Sequence, residues 1–186
     1  QAEISYNLKK GTALGGKYGT LISLAYSHVS SLDTTHTNDD YGYKLNKIAA
    51  GKTLMYEDVE LVISRKMNAK WKLSYTYMYQ IFNKDVVQGV SGYGTLYTHI
   101  NILETQYKIN KKNTIRTELQ HLYTKHDEGQ WAMALAEYTV SPHWFFAVYD
   151  QYNYNNPHDA KKEVHYLTGT FGYIKNATRI AFSYGK

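Results

Sequence analysis

The sequence contains no cysteine. That excludes a disulfide framework, a thiol nucleophile and any cysteine-ligated zinc site. Proline is scarce, with two among 186 residues. No run of about 18 apolar residues occurs, which excludes a transmembrane helix. Mean hydropathy is −0.53, a value ordinarily met in soluble proteins. A membrane barrel can be equally polar, because only alternate residues of its strands meet lipid. Charge of one sign does not dominate either, the net value being +5. Many lysines cluster near expected turns (Lys9, Lys10, Lys17, Lys66, Lys70, Lys111, Lys112, Lys175). There they read as turn and headgroup-level cations, and no nucleic-acid partner is expected. No signal peptide is visible, since an alternating pattern already starts at Gln1; export would need a leader cleaved or encoded further upstream.

Aromatics are abundant: 20 Tyr, 5 Phe and 3 Trp. The segment Trp71–Ile81 shows how they are used. Its odd positions are bulky and apolar or aromatic, and all its even positions but one are polar. Strand side chains alternate between faces, so one face is greasy and the other wet. Eleven residues are also about what a tilted strand needs to cross a bilayer.

Ten strands follow from the same alternation and from turn punctuation, at 1–9, 17–29, 56–66, 71–82, 96–109, 114–125, 130–140, 144–154, 164–174 and 178–186. In 130–140 the bulky face is taken as Trp131, Met133 and Leu135. Strand 144–154 is ambiguous, because Trp144-Phe145-Phe146 supplies aromatics to both faces; a bulge there would resolve it. Connections alternate in length. Those at 67–70, 110–113, 141–143 and 175–177 are short, and those at 30–55, 83–95 and 155–163 are long. Short periplasmic turns opposite long extracellular loops characterise outer-membrane barrels. Connection 10–16 fits least well, being longer than the other turns on its side.

The fold expected is therefore all-β, an antiparallel up-and-down transmembrane β-barrel occupying 1–186 as a single segment. Lipid-facing aromatics would form two girdles. Tyr18, Trp71, Tyr107, Trp144 and Tyr173 lie toward the short turns, with Tyr26, Tyr79, Tyr97, Tyr123, Trp131, Tyr152 and Tyr184 toward the long loops. Partners would be outer-membrane lipid and lipopolysaccharide, together with other outer-membrane or periplasmic proteins. The lumen face would carry Glu3, Asp58, Glu60, Glu104 and Glu118 against Lys9, Lys72, Lys108, Arg116 and Arg179. Such a mixture lines either a water-filled pore or a charge-braced wall. With short turns in the periplasm, the first strand runs inward and the last runs outward. An even-stranded barrel with both termini in the periplasm then needs a further strand at each end, twelve or more in all.

The tyrosine-rich strands, the basic turns and the ending Thr178-Arg179-Ile180-Ala181-Phe182-Ser183-Tyr184-Gly185-Lys186 resemble the C-terminal part of uncharacterised Bacteroidota outer-membrane β-barrel proteins. The resemblance implies a further strand beyond this point. It brings no catalytic residues with it.

Candidate chemistry is thin. Gly11-Thr12-Ala13-Leu14-Gly15-Gly16-Lys17 has P-loop spacing, but Tyr18 replaces the required Ser or Thr and a strand follows, so the segment reads as a turn. His36, Asn38, Asp39, Asp40, Tyr41 and Tyr43 crowd possible calcium ligands into loop 30–55 without EF-hand spacing. His28, His126, His158, Asp127 and Asp159 would meet at the loop rim, where a histidine–acid pair could activate water, yet no spacing ties them together. No cofactor, metal or catalytic residue is expected. Three functional classes remain: a diffusion pore, a barrel subunit that docks partners and, last, a barrel-embedded hydrolase.

Overall fold

The computed structural model describes residues 1–37 and 42–185, with the side chains of 46–50 left aside. Ten strands form one antiparallel sheet in strict chain order. They are β1 (Ala2–Leu8), β2 (Thr20–His36), β3 (Tyr43–Lys66), β4 (Trp71–Asn83), β5 (Thr95–Lys108), β6 (Asn113–Tyr123), β7 (Gln130–Val140), β8 (Trp144–Asn155), β9 (His165–Lys175) and β10 (Thr178–Gly185). The fold is thus an all-β, up-and-down meander. A one-turn helix α1 (Lys84–Gln88) and a 3-10 turn (Ala160–Lys162) sit in the connections. Among the described residues the sheet is not closed: β1 pairs only with β2, and β10 only with β9.

Antiparallel partners present their side chains on the same face, so the register sorts the whole sheet. One face carries Ile4, Leu24, Leu61, Tyr77, Leu103, Leu119, Val148 and Phe182. The other carries Glu3, Glu60, Thr76, Glu104, Glu118 and Gln151. The first is called the apolar face below and the second the polar face. On the apolar face one row of register partners runs Trp71–Tyr107–Ile115–Tyr138–Phe146–Phe171–Phe182 across seven strands. Its rings touch: Phe146 and Phe171 lie 5.8 Å apart, and Phe171 and Phe182 6.3 Å. Toward the other end a second row runs Tyr26–Val59–Tyr79–His99–Tyr123.

The structure corrects four expectations. Most of 30–55 is strand: β2 and β3 continue as a two-stranded ribbon closing at His36 and Tyr43, beyond the point where β4 stops pairing at Tyr56. Register shifts at Val29/Ser30, Ser30/Leu32, Leu32/Asp33 and Asp33/Thr34 break the two-residue period, and that is why the ribbon resembles a loop in sequence. Second, Trp131 pairs with Leu122 and so lies on the polar face with Met133 and Leu135, while Ala132, Ala134 and Ala136 occupy the apolar one. Third, Lys9 and Tyr18 lie in the connection between β1 and β2, not on a strand. Fourth, strand β8 needs no bulge at its aromatic start. Trp144 and Phe146 take the apolar face, and Phe145 turns to the polar face opposite Gly172, where it is 5% exposed. A Cβ on Gly172 would collide with the Phe145 ring, so glycine makes the room that a bulge would otherwise make.

Candidate functional site

Phe145 is the only buried large hydrophobic among the described residues. Meanwhile Ile4 is 75% exposed, Leu119 55% and Phe182 68%. A sheet of this size ordinarily buries one face against a second layer; here the apolar face is bare. Trp71 lies opposite Tyr107 and Tyr79 opposite His99, eight residues along each strand. At ~3.4 Å per residue that is ~27 Å along the strand, or about 20 Å across a bilayer at the usual barrel tilt. Two acids on this face are held by histidines, one toward the long-connection end and one in the row of Tyr75: Glu57 Oε2 lies 2.9 Å from His28 Nδ1, and Asp150 Oδ2 lies 2.6 Å from His165 Nδ1. Of the expected girdle residues, Tyr26, Trp71, Tyr79, Tyr97, Tyr107, Tyr123, Trp144, Tyr152, Tyr173 and Tyr184 share this face. Tyr138, which sequence reading overlooked, joins them.

Nine of the ten charged residues assigned to the other face do share it, Lys9 excepted. They are not evenly mixed. Arg116 donates to Glu104 Oε2 at 3.1 Å and Glu118 Oε2 at 2.7 Å, and Glu137 Oε2 lies 3.7 Å away. Glu137 is a third carboxylate that the sequence list omits. Gln120 donates to the second oxygen of Glu118. At the sheet edge Glu3 accepts from Ser23 at 2.8 Å and Ser5 at 3.1 Å. Toward the short turns Lys66 lies opposite Lys72, and Lys108 opposite Thr114. Arg179 covers the Phe145 ring at 4.5 Å. Between the charged groups lies an apolar hollow of about 330 Å3, lined by Ile100, Leu122, Trp131 and Met133 with Gln120 and Gln151. Trp131 stacks on Tyr166 at 5.8 Å, closing one side of this region.

The connections at the long end are tied to each other. Lys84 Nζ lies 2.6 Å from Asp127 Oδ1 and 4.0 Å above the Tyr93 ring. Lys162 donates to both oxygens of Glu128, at 2.9 and 3.0 Å. Asn156 donates to Glu128 as well, and fully buried Asn153 donates to the Glu128 carbonyl. The Lys162 hydrogen bond, then that of Asn156, holds the Glu128 carboxyl below its usual range. Lys84 is raised, first by its hydrogen bond to Asp127. Desolvation pushes Asp85 upward, yet the backbone N–H groups of Tyr93, Gly94 and Gly92 outweigh it and leave the group lowered.

The chemical candidates do not assemble. Gly11–Lys17 is a hydrogen-bonded turn, Gly11 N donating to Gly16 O at 2.7 Å, with a strand after it and no helix. His28 is committed to Glu57, Asp127 to Lys84, and Asp159 caps the 3-10 turn. Backbone amides of His126 and His158 bond to Thr124 and Asn156. No cluster of three metal-ligating side chains occurs among the described residues. In the expected calcium loop, 38–41 lie outside those residues, and His36 and Tyr43 meet edge to face at 4.8 Å.

The chain belongs to the family of unknown function DUF6029, whose model matches residues 1–186. None of the curated proteins and none of the solved structures matches it.

Proposed function

We propose that this sheet is part of the wall of an integral outer-membrane β-barrel that acts, without catalysis, as a diffusion pore. The bare apolar face carries this reading. Exposed contiguous apolar surface on a water-soluble monomer seldom exceeds a few hundred Å2, whereas here it runs from Ile4 in β1 to Tyr184 in β10. Its aromatic rows, about 20 Å apart across a bilayer at barrel tilt, fit within the apolar band of a barrel, roughly 25 Å tall. The polar face would then line water, where half-exposed Glu104 and Arg116 retain partial hydration.

Closure is part of the proposal. Free strand edges cannot persist in hydrocarbon, where each unsatisfied backbone group costs several kcal/mol. The outer edges of β1 and β10 therefore take further strands, giving a barrel of twelve or more. In the orientation that fits best, the connections at 84–94, 124–129 and 156–164 and the β2–β3 ribbon face outside the cell. The tight turns then face the periplasm. The ribbon favours a second reading, a barrel subunit that docks a partner protein, because it projects past its neighbours with nothing paired along its sides.

Full-length protein in planar bilayers tests the pair. Stepwise conductance is expected of the pore. Silence together with a reproducibly co-purifying partner would favour docking, and a wild-type protein soluble without detergent would defeat both.

A further inference from the structure

Charge on the polar face is segregated along the strands. Of its acids, Glu3, Asp58 and Glu60 lie in the long-connection half, Glu104 and Glu118 near the middle, and Glu137 in the row of Arg116, Gln106 and Lys72. Beyond the Glu137 row the short-turn end of the sheet carries no acid. No Asp or Glu occurs in 9–19, 61–73, 105–115, 139–145 or 171–180, and all of these stretches except 139–145 hold Lys or Arg. Within this end lies an open depression of about 750 Å3, lined by Lys70, Lys108, Lys111 and Lys112 with Asn110 and Thr114. A volume of that order suits a small ligand.

We propose that this depression binds small solutes bearing two or more phosphate or carboxylate groups, at the short-turn mouth of the pore. The inference rests on the pore reading for its access from water. Four ammonium groups lining one hollow carry like charge, which a counter-anion from solution would offset. None of the four has an ion-pair partner among the described residues. The nearest acids along the flanking strands, Glu104 and Glu137, are already held by Arg116. Lys66 and Lys72 sit directly opposite each other on the adjoining strands, where like charges are unfavourable. A mobile anion in the hollow relieves the repulsion among its four lysines.

Lipid headgroups do not serve the whole set. Lys111 and Lys112 lie in a turn and could reach a membrane surface, but Lys108 sits on the face opposite Tyr107, pointing away from the aromatic rows. Lysine binds phosphate as a flexible point charge, without the bidentate geometry of arginine. The site therefore selects by charge and tolerates varied shapes. Asn110 adds direction: its Oδ1 accepts from the amides of Lys112 and Asn113, which leaves its own N–H groups free to donate into the hollow. Beyond the lysines an entering anion meets the acidic layer around Arg116, so it is held at the mouth instead of being drawn through.

The test uses full-length protein in detergent, titrated calorimetrically with sodium pyrophosphate. Wild-type protein is expected to bind, with affinity falling steeply as salt rises. The K70Q/K108Q/K111Q/K112Q variant is expected to lose at least tenfold, and K125Q/K161Q at the other end to lose nothing. Absence of binding to the wild type, or equal binding by the quadruple variant, overturns the site. Should that variant fail to fold, acetylation of the wild type followed by mass spectrometry decides: pyrophosphate must protect Lys108 and Lys112 but not Lys161, and equal labelling overturns the proposal. Conductance in bilayers is read separately. Conductance without pyrophosphate binding sinks this inference alone, and binding without conductance sinks the pore alone.

Discussion

Tyr75 and Thr76 are neighbours in sequence and lie on opposite faces of the sheet. Tyr75 pairs with Ile63 and Leu103, whereas Thr76 pairs with Val62 and Ile102 one row away on the opposite face. Every property that separates the two faces of the sheet follows from that one-residue alternation. The apolar face is dominated by aromatic and aliphatic side chains, with its acids paired to histidines, and among the described residues nothing packs over it. The polar face is heterogeneous, with a lysine mouth, an arginine-centred acidic layer and an apolar hollow around Trp131. A solvent-like surround demands uniformity of the face it wets, whereas a face that does chemistry or recognition varies from place to place.

The sharpest way to break the comparison is to exchange their chemistry. An arginine at Tyr75, midway between the aromatic rows, is expected to cost about 2–4 kcal/mol if the apolar face meets hydrocarbon. At Thr76 the same residue should cost far less. Urea unfolding of protein refolded into vesicles measures both, and equal costs would remove the distinction between the faces.

Glycines on the two faces give a second contrast of somewhat smaller size. A side chain at Gly172 meets the Phe145 ring and the carbonyl of Ile180, so Gly172→Val is expected to lose about 1–3 kcal/mol by overpacking. Gly169 lies on the apolar face with only the Tyr184 carbonyl near, at 4.0 Å. Gly169→Val there should be neutral or mildly stabilising, since valine suits strands better than glycine. The same unfolding assay reads both, and an unaffected Gly172→Val would show that Phe145 does not need that space.

Strand positions were legible in the sequence because alternation and turn residues pointed the same way, as at Trp71–Ile81 and Asn110–Asn113. Two things were not. Bulk was equated with one face, which holds for Tyr75 or Leu103 but fails in β7. There alanines take the apolar face and Trp131 the polar one, and only pairing register distinguishes the cases. The β2–β3 ribbon was hidden by its own bulges. On the polar face, membership of the charged residues was readable, but their grouping was not. Arg116 meets Glu104, Glu118 and Glu137 across three strands, and that contact depends on register again.

That grouping predicts a third effect. Arg116→Leu leaves three carboxylates facing one another without their cation. Wholly buried, such a loss would cost about 3–5 kcal/mol. Side-chain exposure of 28% at Arg116 admits water, so about 1–2 kcal/mol is expected. Replacing Glu137 by glutamine as well should recover part of the loss, because it removes one of the like charges. Double-mutant unfolding measures the coupling, and strictly additive losses would mean that the cluster does not act as a unit.

The smallest expected effect lies in the connections at the long end, where pairing ties one surface segment to the next. Glu128 is held below its ordinary value of 4.5. Its contribution is therefore complete above that value and fades as pH falls through the lower, folded one. Lys162 is raised above 10.5, first by its hydrogen bond to Glu128. Its contribution is complete below that value and fades as pH rises through the higher, folded one. The 128–162 tie is thus expected to be intact between these limits and to loosen outside them. Both side chains are about half exposed, 50% for Lys162 and 48% for Glu128, so the sheet itself should not notice. Side-chain amide resonances of Asn153 and Asn156, which both donate to Glu128, report the tie directly. On acidification the Asn156 resonance should move first, because it bonds the Glu128 carboxylate as well as its carbonyl, whereas Asn153 bonds only the carbonyl. Lys162→Met should shift that transition to higher pH by removing the cation that holds the carboxylate down. An unshifted midpoint in that variant would show that Asn156 alone sets the Glu128 titration.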